Sequence, residues 1–264
     1  MKVGITCIIT PPEWTFPDLL QNCQRMDYEA VELVIGHDGE LTLETEPSRL
    51  AEMAEEAEAA DVELASVVLG CQPSVDIMTN DGQLRQTSMA NIERGLQVAR
   101  ALGVDTMLIT PGSVNPDCHY DDAYYNALTT LRHLAPSVER IGVNLAIEYI
   151  WNGFLVSPLE YRRFLDDVDC AWIGFYFDTG NMVIQGYAEQ WAKILHRHIK
   201  KVHFKDFRRS DYSWQPLMEG DVDFPAVMAQ LRRIGYDDAL LSEVDAGTAP
   251  FEQTAQAIRQ IMQM

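Results

Sequence analysis

The chain alternates between two hydrophobic periods. Short apolar runs of about four to eight residues, of the kind buried on both faces of a parallel sheet, are separated by longer stretches in which apolar residues recur every three or four positions. The runs are Lys2–Cys7, Ala30–Ile35, Val62–Leu69, Asp105–Ile109, Val143–Glu148, Trp172–Phe177, Ile199–Phe204 and Ala239–Ser242. Between them the helical period predicts helices over Phe16–Arg25, Pro47 to about Ala60, a segment carrying Ile92, Leu96, Ala99 and Leu102, about Asp121–Arg140, Pro158–Asp167, Tyr187–His196, Phe224–Ile234 and Pro250–Ile261. Pro47 stands where helices favour proline at their start, and Gly103 closes the helix before the fourth strand. This many strand–helix units in 264 residues match the size and order of a closed (β/α)8 TIM barrel. An open doubly wound sheet usually closes after about five to seven strands. No Pro/Gly/Ser-rich linker or composition shift divides the chain, so one domain over residues 1–264 is expected.

In a parallel barrel the ligand site lies beyond the carboxyl ends of the strands, and the chemistry of this sequence collects there. Glu148 ends the fifth run, Asp178 follows the sixth in the turn Asp178-Thr179-Gly180-Asn181, His203 lies near the end of the seventh, and Glu243 follows the eighth. Closing the barrel turns these four strand ends toward one axis, where they can converge on one ion. Three carboxylates and an imidazole form an oxygen-rich, fairly hard ligand set that suits Mn²⁺ or Mg²⁺, with Co²⁺ also compatible, better than structural zinc. Taken singly, Asp178 could be a helix N-cap and His203 a satisfied core histidine. Glu148 and Glu243 at the ends of buried strands would be costly to leave unpaired, and a metal satisfies both.

Charge narrows the partners. Forty acidic against twenty basic residues give a net charge of -20, which opposes nucleic acid and anionic membrane surfaces. Much of that acidity, as in Glu52-Met53-Ala54-Glu55-Glu56-Ala57-Glu58, reads as a solvated helix face. No apolar stretch approaches the ~20 residues of a membrane span and no targeting segment precedes the first strand, so a cytoplasmic location is expected. The cysteines Cys7, Cys23, Cys71, Cys118 and Cys170 are odd in number and lack CxxC spacing, which argues against both a disulfide framework and a thiolate zinc site.

Several segments also carry a resemblance: AVELVIGHDGELTLET (residues 30–45), ALGVDTMLITPG (101–112), LAIEYIWNGFLVSPL (145–159), residues 174–190, KVHFKDF (201–207) and residues 219–236. With these the chain resembles the xylose-isomerase-like TIM barrels of sugar and sugar-phosphate isomerases and epimerases. The resemblance implies a divalent metal, Mn²⁺ foremost, on Glu148, Asp178, His203 and Glu243. It further implies that the two glutamates act from opposite faces of a ketose, one removing a proton beside the carbonyl and the other returning it. Ketose 3-epimerisation through a cis-enediolate is the expected reaction. A lyase or dehydratase acting on a keto-sugar or inositol derivative, and a non-catalytic sugar-binding subunit, are the alternatives. Two positions depart from the family pattern: Asn181 stands where many relatives have the histidine of a DTGH turn, and Lys201 where many have the first histidine of HVH. Gly70-Cys71-Gln72-Pro73 also looks individual.

Expected substrate contacts are Asn181, Lys205, Arg209, Glu32, Trp151 and Asn152. Lys205, Arg208 and Arg209 form the only basic cluster near the site, able to bind a phosphate or merely to balance acidity; for Lys205, contact with a substrate oxygen or phosphate and an ion pair with Asp206 or another carboxylate are equal readings. Relatives of this barrel are often dimers or tetramers, and Trp191 and Trp214 are the aromatics expected to contribute to such an interface.

Overall fold

The computed structural model describes residues 1–70 and 75–264. Its barrel strands are β1 (Val3–Thr6), β2 (Ala30–Ile35), β3 (Glu63–Leu69), β4 (Thr106–Ile109), β5 (Asn144–Glu148), β6 (Ile173–Asp178) and β7 (Ile199–Phe204). A small antiparallel hairpin follows, β8 (Asp206–Arg208) with β9 (Ser213–Gln215), and β10 (Leu240–Ser242) then closes the parallel barrel between β7 and β1. The helices are α1 (Phe16–Arg25), α2 (Pro47–Ala59), α3 (Gly82–Ala101), α4 (Tyr120–Ile141), α5 (Pro158–Val168), α6 (Ala188–Leu195), α7 (Phe224–Arg233) and α8 (Phe251–Ile261). The individual-looking stretch after β3 lies, apart from Gly70, outside the described residues.

Local chemistry accounts for the helix ends. Thr15 and Asp18 form a reciprocal capping box at α1, which buries Phe16, Leu19, Leu20 and Cys23 on one face. Asp81 accepts from the amides of Gln83 and Leu84 to open α3. Gly142, at φ 73°, ends α4 in the left-handed conformation that glycine adopts at least cost.

Two apolar layers result. The larger fills the space between strands and helices, and the smaller fills the barrel with Ala30, Ala65, Val68, Leu108, Ala146, Tyr176, Ala239 and Leu241. Four of these are alanines, which leaves room inside for the buried polar side chains Glu32, Ser66, Lys201 and His203. Lys201 and His203 are two residues apart on β7 and so share its inner face. Lys201 lies at the amino-terminal end of the barrel, its Nζ 2.6 Å from Asp238 Oδ2 and 3.3 Å from Asp105 Oδ1. The lysine that replaces the first histidine of HVH is thus an ionic plug under the barrel.

Trp191 corrects an expectation. It is 1 % exposed and packs against Tyr149, Tyr161 and Phe175 within its own subunit, so it offers nothing to an interface.

Candidate functional site

Glu148, Asp178, His203 and Glu243 come together at the carboxyl end of the barrel, with one ligand atom from each lying within 4.8 Å of all the others. They stand on β5, β6, β7 and just beyond β10, four consecutive staves of the wall. Register explains the convergence. Asp178 pairs directly with His203, Glu148 pairs with Tyr176 two residues before Asp178, and the Glu243 amide bonds to the Phe204 carbonyl at 3.0 Å.

His203 is fully buried and is held from behind. Its Nε2 lies 2.8 Å from Glu32 Oε1, while the other Glu32 oxygen accepts from Ser66 Oγ at 2.6 Å and from the Tyr176 hydroxyl. Glu32 was expected to touch substrate. It is instead 0 % exposed beneath the imidazole, placed to orient that ring and raise its basicity as a carboxylate behind a candidate ligand does. Ser66 and Tyr176 were not foreseen, although a lone serine in the apolar run of β3 and a tyrosine on the same face as Asp178 were visible signals.

Facing the other way, His203 Nδ1 lies 3.3 Å from Glu243 Oε2 and 3.8 Å from Glu148 Oε1, and makes no hydrogen bond. Asp178 Oδ2 is likewise buried without a partner. Unpartnered buried polar atoms are rare, and here two of them belong to the same four-residue cluster. A divalent cation among the four would satisfy both and would offset the mutual repulsion of three carboxylates, so the residues fit the group.

The crowding of charge also shifts the cluster's own titration. Burial pushes the Asp178 carboxyl well above the usual range and also raises Glu148, with Glu243 adding repulsion to each. Burial would raise Glu243 too, but His203 and Lys205 overcome it and bring the carboxyl down to about 2. Desolvation opposes a charged His203, yet the adjacent carboxylates, Glu32 first, hold it well above the ordinary imidazole range.

The predicted substrate contacts divide. Asn181 is close to the ligands: its Nδ2 donates to Glu148 Oε1 at 3.1 Å and its backbone amide to Asp178 Oδ1 at 2.6 Å. Lys205 Nζ sits 2.8 Å from Glu243 Oε1 and 4.3 Å from the centre of the Trp214 ring. Trp151 donates from Nε1 to the Asn181 carbonyl at 3.1 Å and stacks on Trp214 with centroids 5.0 Å apart and planes 9° from parallel. Trp214 arrives on the hairpin β8–β9, which the apolar pattern did not announce. A cavity of about 110 Å³ opens beside Lys205 and Glu243, lined also by Ile9, Trp214, Gln215 and Val244.

Asn152 and Arg209 are engaged elsewhere. Asn152 ties the loop after β5 to the loop after β4 by donating to the Gly112 carbonyl, and braces its own loop by accepting from the Phe154 amide. Arg209 pairs with Asp221 at 3.4 Å, donates to the carbonyls of Val183 and Gly186, and lies over the Tyr187 ring.

Comparison with known proteins places this geometry. The profile of the xylose isomerase-like TIM barrel matches residues 20–263. An L-ribulose-5-phosphate 3-epimerase of Salmonella paratyphi C is 25 % identical over 221 residues, covering 79 % of this chain and 74 % of its own. An uncharacterized protein of Methanocaldococcus jannaschii is 22 % identical over 92 % of this chain and 83 % of its own. Among solved structures, a D-tagatose 3-epimerase-like protein superposes with a TM-score of 0.84 at 19 % identity, covering 100 % of this chain and 97 % of its own. A 3-keto-D-glucoside 4-epimerase of E. coli superposes with a TM-score of 0.80 at 16 % identity, covering all of both chains. An IolI protein crystallised with a zinc atom gives a TM-score of 0.78 at 16 % identity, covering 99 % of this chain and 96 % of its own. The profile match spans nearly the whole barrel, all four candidate ligands included, and the chain belongs to the xylose isomerase-like TIM-barrel family.

Proposed function

We propose that this protein is a metal-dependent sugar epimerase that moves a proton at the carbon beside a ketose carbonyl, most readily as a 3-epimerase, with Mn²⁺ as the favoured ion. The observation that carries this reading is the order of the arc: Glu148 and Glu243 form its two ends, with Asp178 and His203 between them. A ligand seated on the middle of the arc has a carboxylate on either side. Inversion at carbon requires that arrangement, a base on one face and an acid on the other, whereas proton return from the base itself restores the starting configuration. A bound divalent ion would supply charge neutralisation for the enediolate oxygens.

The chain's own residues define the remaining roles. Asn181 donates to Glu148 and Lys205 pairs with Glu243, so each glutamate is held in one orientation by a different neighbour. Trp151 and Trp214 stack on one another beside those neighbours, Trp151 donating to the Asn181 carbonyl and Trp214 lying next to the Lys205 Nζ. The relatives that work on ketoses and keto-sugars support this reaction class. Replacing either Glu148 or Glu243 by Gln should lower turnover of the responsive ketose by about 10² to 10⁴-fold, with metal occupancy measured in the same preparations. Near-wild-type turnover in either metal-loaded variant would remove that glutamate from the acid–base pair.

A further inference from the structure

Resting on the reading just given, we infer that the turn Asp178-Thr179-Gly180-Asn181 sets the placement of both glutamates at once, and that Thr179 is a positioning residue acting on Glu243 through Lys205. The link to Glu148 is direct. Asp178 Oδ1 accepts from the Asn181 amide at 2.6 Å, and Trp151 Nε1 donates to the Asn181 carbonyl at 3.1 Å. With its backbone fixed at both groups, Asn181 reaches Glu148 Oε1 through Nδ2 at 3.1 Å.

The link to Glu243 runs through a hydroxyl. Beside β7 the Thr179 amide bonds to the His203 carbonyl at 3.1 Å and the Glu243 amide to the Phe204 carbonyl at 3.0 Å. Lys205 lies one residue past the end of that strand, and Thr179 Oγ1 takes both of its backbone groups, accepting from the amide at 3.0 Å and donating to the carbonyl at 2.6 Å. A threonine hydroxyl in a turn ordinarily bonds a backbone group of its own turn. This one acts 26 residues away. Thr179 is fully buried, so removing the hydroxyl would leave the Lys205 amide and carbonyl without that partner and away from water.

Gly180 lets the two segments meet. A Cβ there would stand 3.0 Å from the Lys205 backbone carbon, the Lys205 Cβ and the Trp214 ring, closer than side chains normally pack. Lys205 thus starts from a backbone pressed against the turn, and its Nζ meets Glu243 Oε1 at 2.8 Å, leaving Oε2 facing His203 Nδ1 at 3.3 Å. Glu148 and Glu243 stand at opposite ends of the arc, yet both are braced from this one turn. A catalytic group displaced by about 1 Å can cost about 100-fold in rate, so a shared support for the two proton-transfer groups matters to turnover.

The test follows each glutamate separately. Mn²⁺-loaded wild type, Thr179→Val, Thr179→Ser and Asn181→Ala are given either member of the 3-epimer pairs D-fructose/D-psicose and D-tagatose/D-sorbose in D₂O. Deuterium at C3 of the recovered starting sugar is then compared with epimer formed. From the epimer whose C3 proton faces Glu148, that carboxylate takes the proton, the electron pair passes into the enediolate, and the carboxyl exchanges with D₂O. Poor delivery by Glu243 then returns deuterium without inversion, whereas from the other epimer removal by Glu243 is slow and return by Glu148 is fast. In Thr179→Val the ratio of exchange to inversion should therefore rise at least about threefold from one epimer and fall from the other, with turnover lowered about 10 to 100-fold. Thr179→Ser keeps the hydroxyl and should behave as wild type, and Asn181→Ala should shift the two ratios in the reverse sense. A competition titration should find Mn²⁺ affinity in Thr179→Val within about tenfold of wild type, below the usual loss for a support of a metal ligand. Ratios that stay put or move the same way from both epimers, a serine variant as impaired as the valine one, or a larger loss of Mn²⁺ affinity overturns the inference. Wild type that forms no epimer from either pair removes the 3-epimerase reading and this inference with it, while wild-type epimerisation with unmoved ratios removes this inference alone.

Discussion

At the scale of single residues, the site is an argument about what sits behind His203. Glu32, Ser66 and Tyr176 form a buried hydrogen-bonded set behind the imidazole they orient. Glu32→Gln should therefore lower metal affinity by about 10 to 100-fold in a competition titration, although residue 32 is not one of the four candidate ligands. Unchanged affinity would show that His203 is positioned by packing alone. Ser66→Ala, which removes one of the three partners of Glu32, should fall between the variant and wild type. His203→Ala removes a ligand outright, so added Mn²⁺ should raise the melting temperature of wild type and leave that of the variant where it is. Equal responses would place the ion elsewhere.

The elements between those residues were largely legible before the structure, for reasons that particular segments make plain. Phe16–Arg25, Ala30–Ile35 and Ile199–Phe204 carry strong periodicity and clear end signals, and the helix and strands occupy those residues without a shift. The four candidate ligands were legible because a charged side chain at the end of an apolar strand is conspicuous. The hairpin was not, because its strands Asp206–Arg208 and Ser213–Gln215 have three residues each and little apolar character. Glu32 was misread because a sequence gives the end of the barrel a residue is near, but not which cross-barrel neighbour it meets.

The loop from β9 to α7 depends on Gly220, where a side chain would collide with the Asp206 carboxylate that gathers the surrounding amides. Gly220→Ala should cost about 1–3 kcal/mol, read as a lowered denaturant midpoint. A midpoint matching wild type would mean the loop relaxes freely. Asp206 is itself buried, which raises its carboxyl against the pull of those amides.

At the scale of the whole molecule, the barrel is closed at its amino-terminal end by an ionic plug. Lys201 is 1 % exposed between Asp105 and Asp238, whose side chains are 66 % and 30 % exposed. Removing the cation leaves two carboxylates that can still reach solvent, so Lys201→Ala should destabilise by about 2–4 kcal/mol, near the low end for a broken buried pair. Thermal denaturation matching wild type would reduce the plug to a surface contact. Self-association into a dimer or tetramer now has Trp214 alone of the two tryptophans to draw on, and Trp214 is half-buried against Trp151 and Phe207. No helix among the described residues is long and apolar enough to cross a membrane.

The central claim is that the arc ending in Glu148 and Glu243 exchanges a proton at the carbon beside a ketose carbonyl. Its most direct test is to run the reaction in D₂O with the Mn²⁺-loaded protein and read the recovered sugars by NMR. The account predicts deuterium at C3 in both the epimeric product and the remaining substrate, with carbon skeleton and substituents intact. Product that forms without solvent deuterium at any carbon, or with loss of a leaving group, would contradict it.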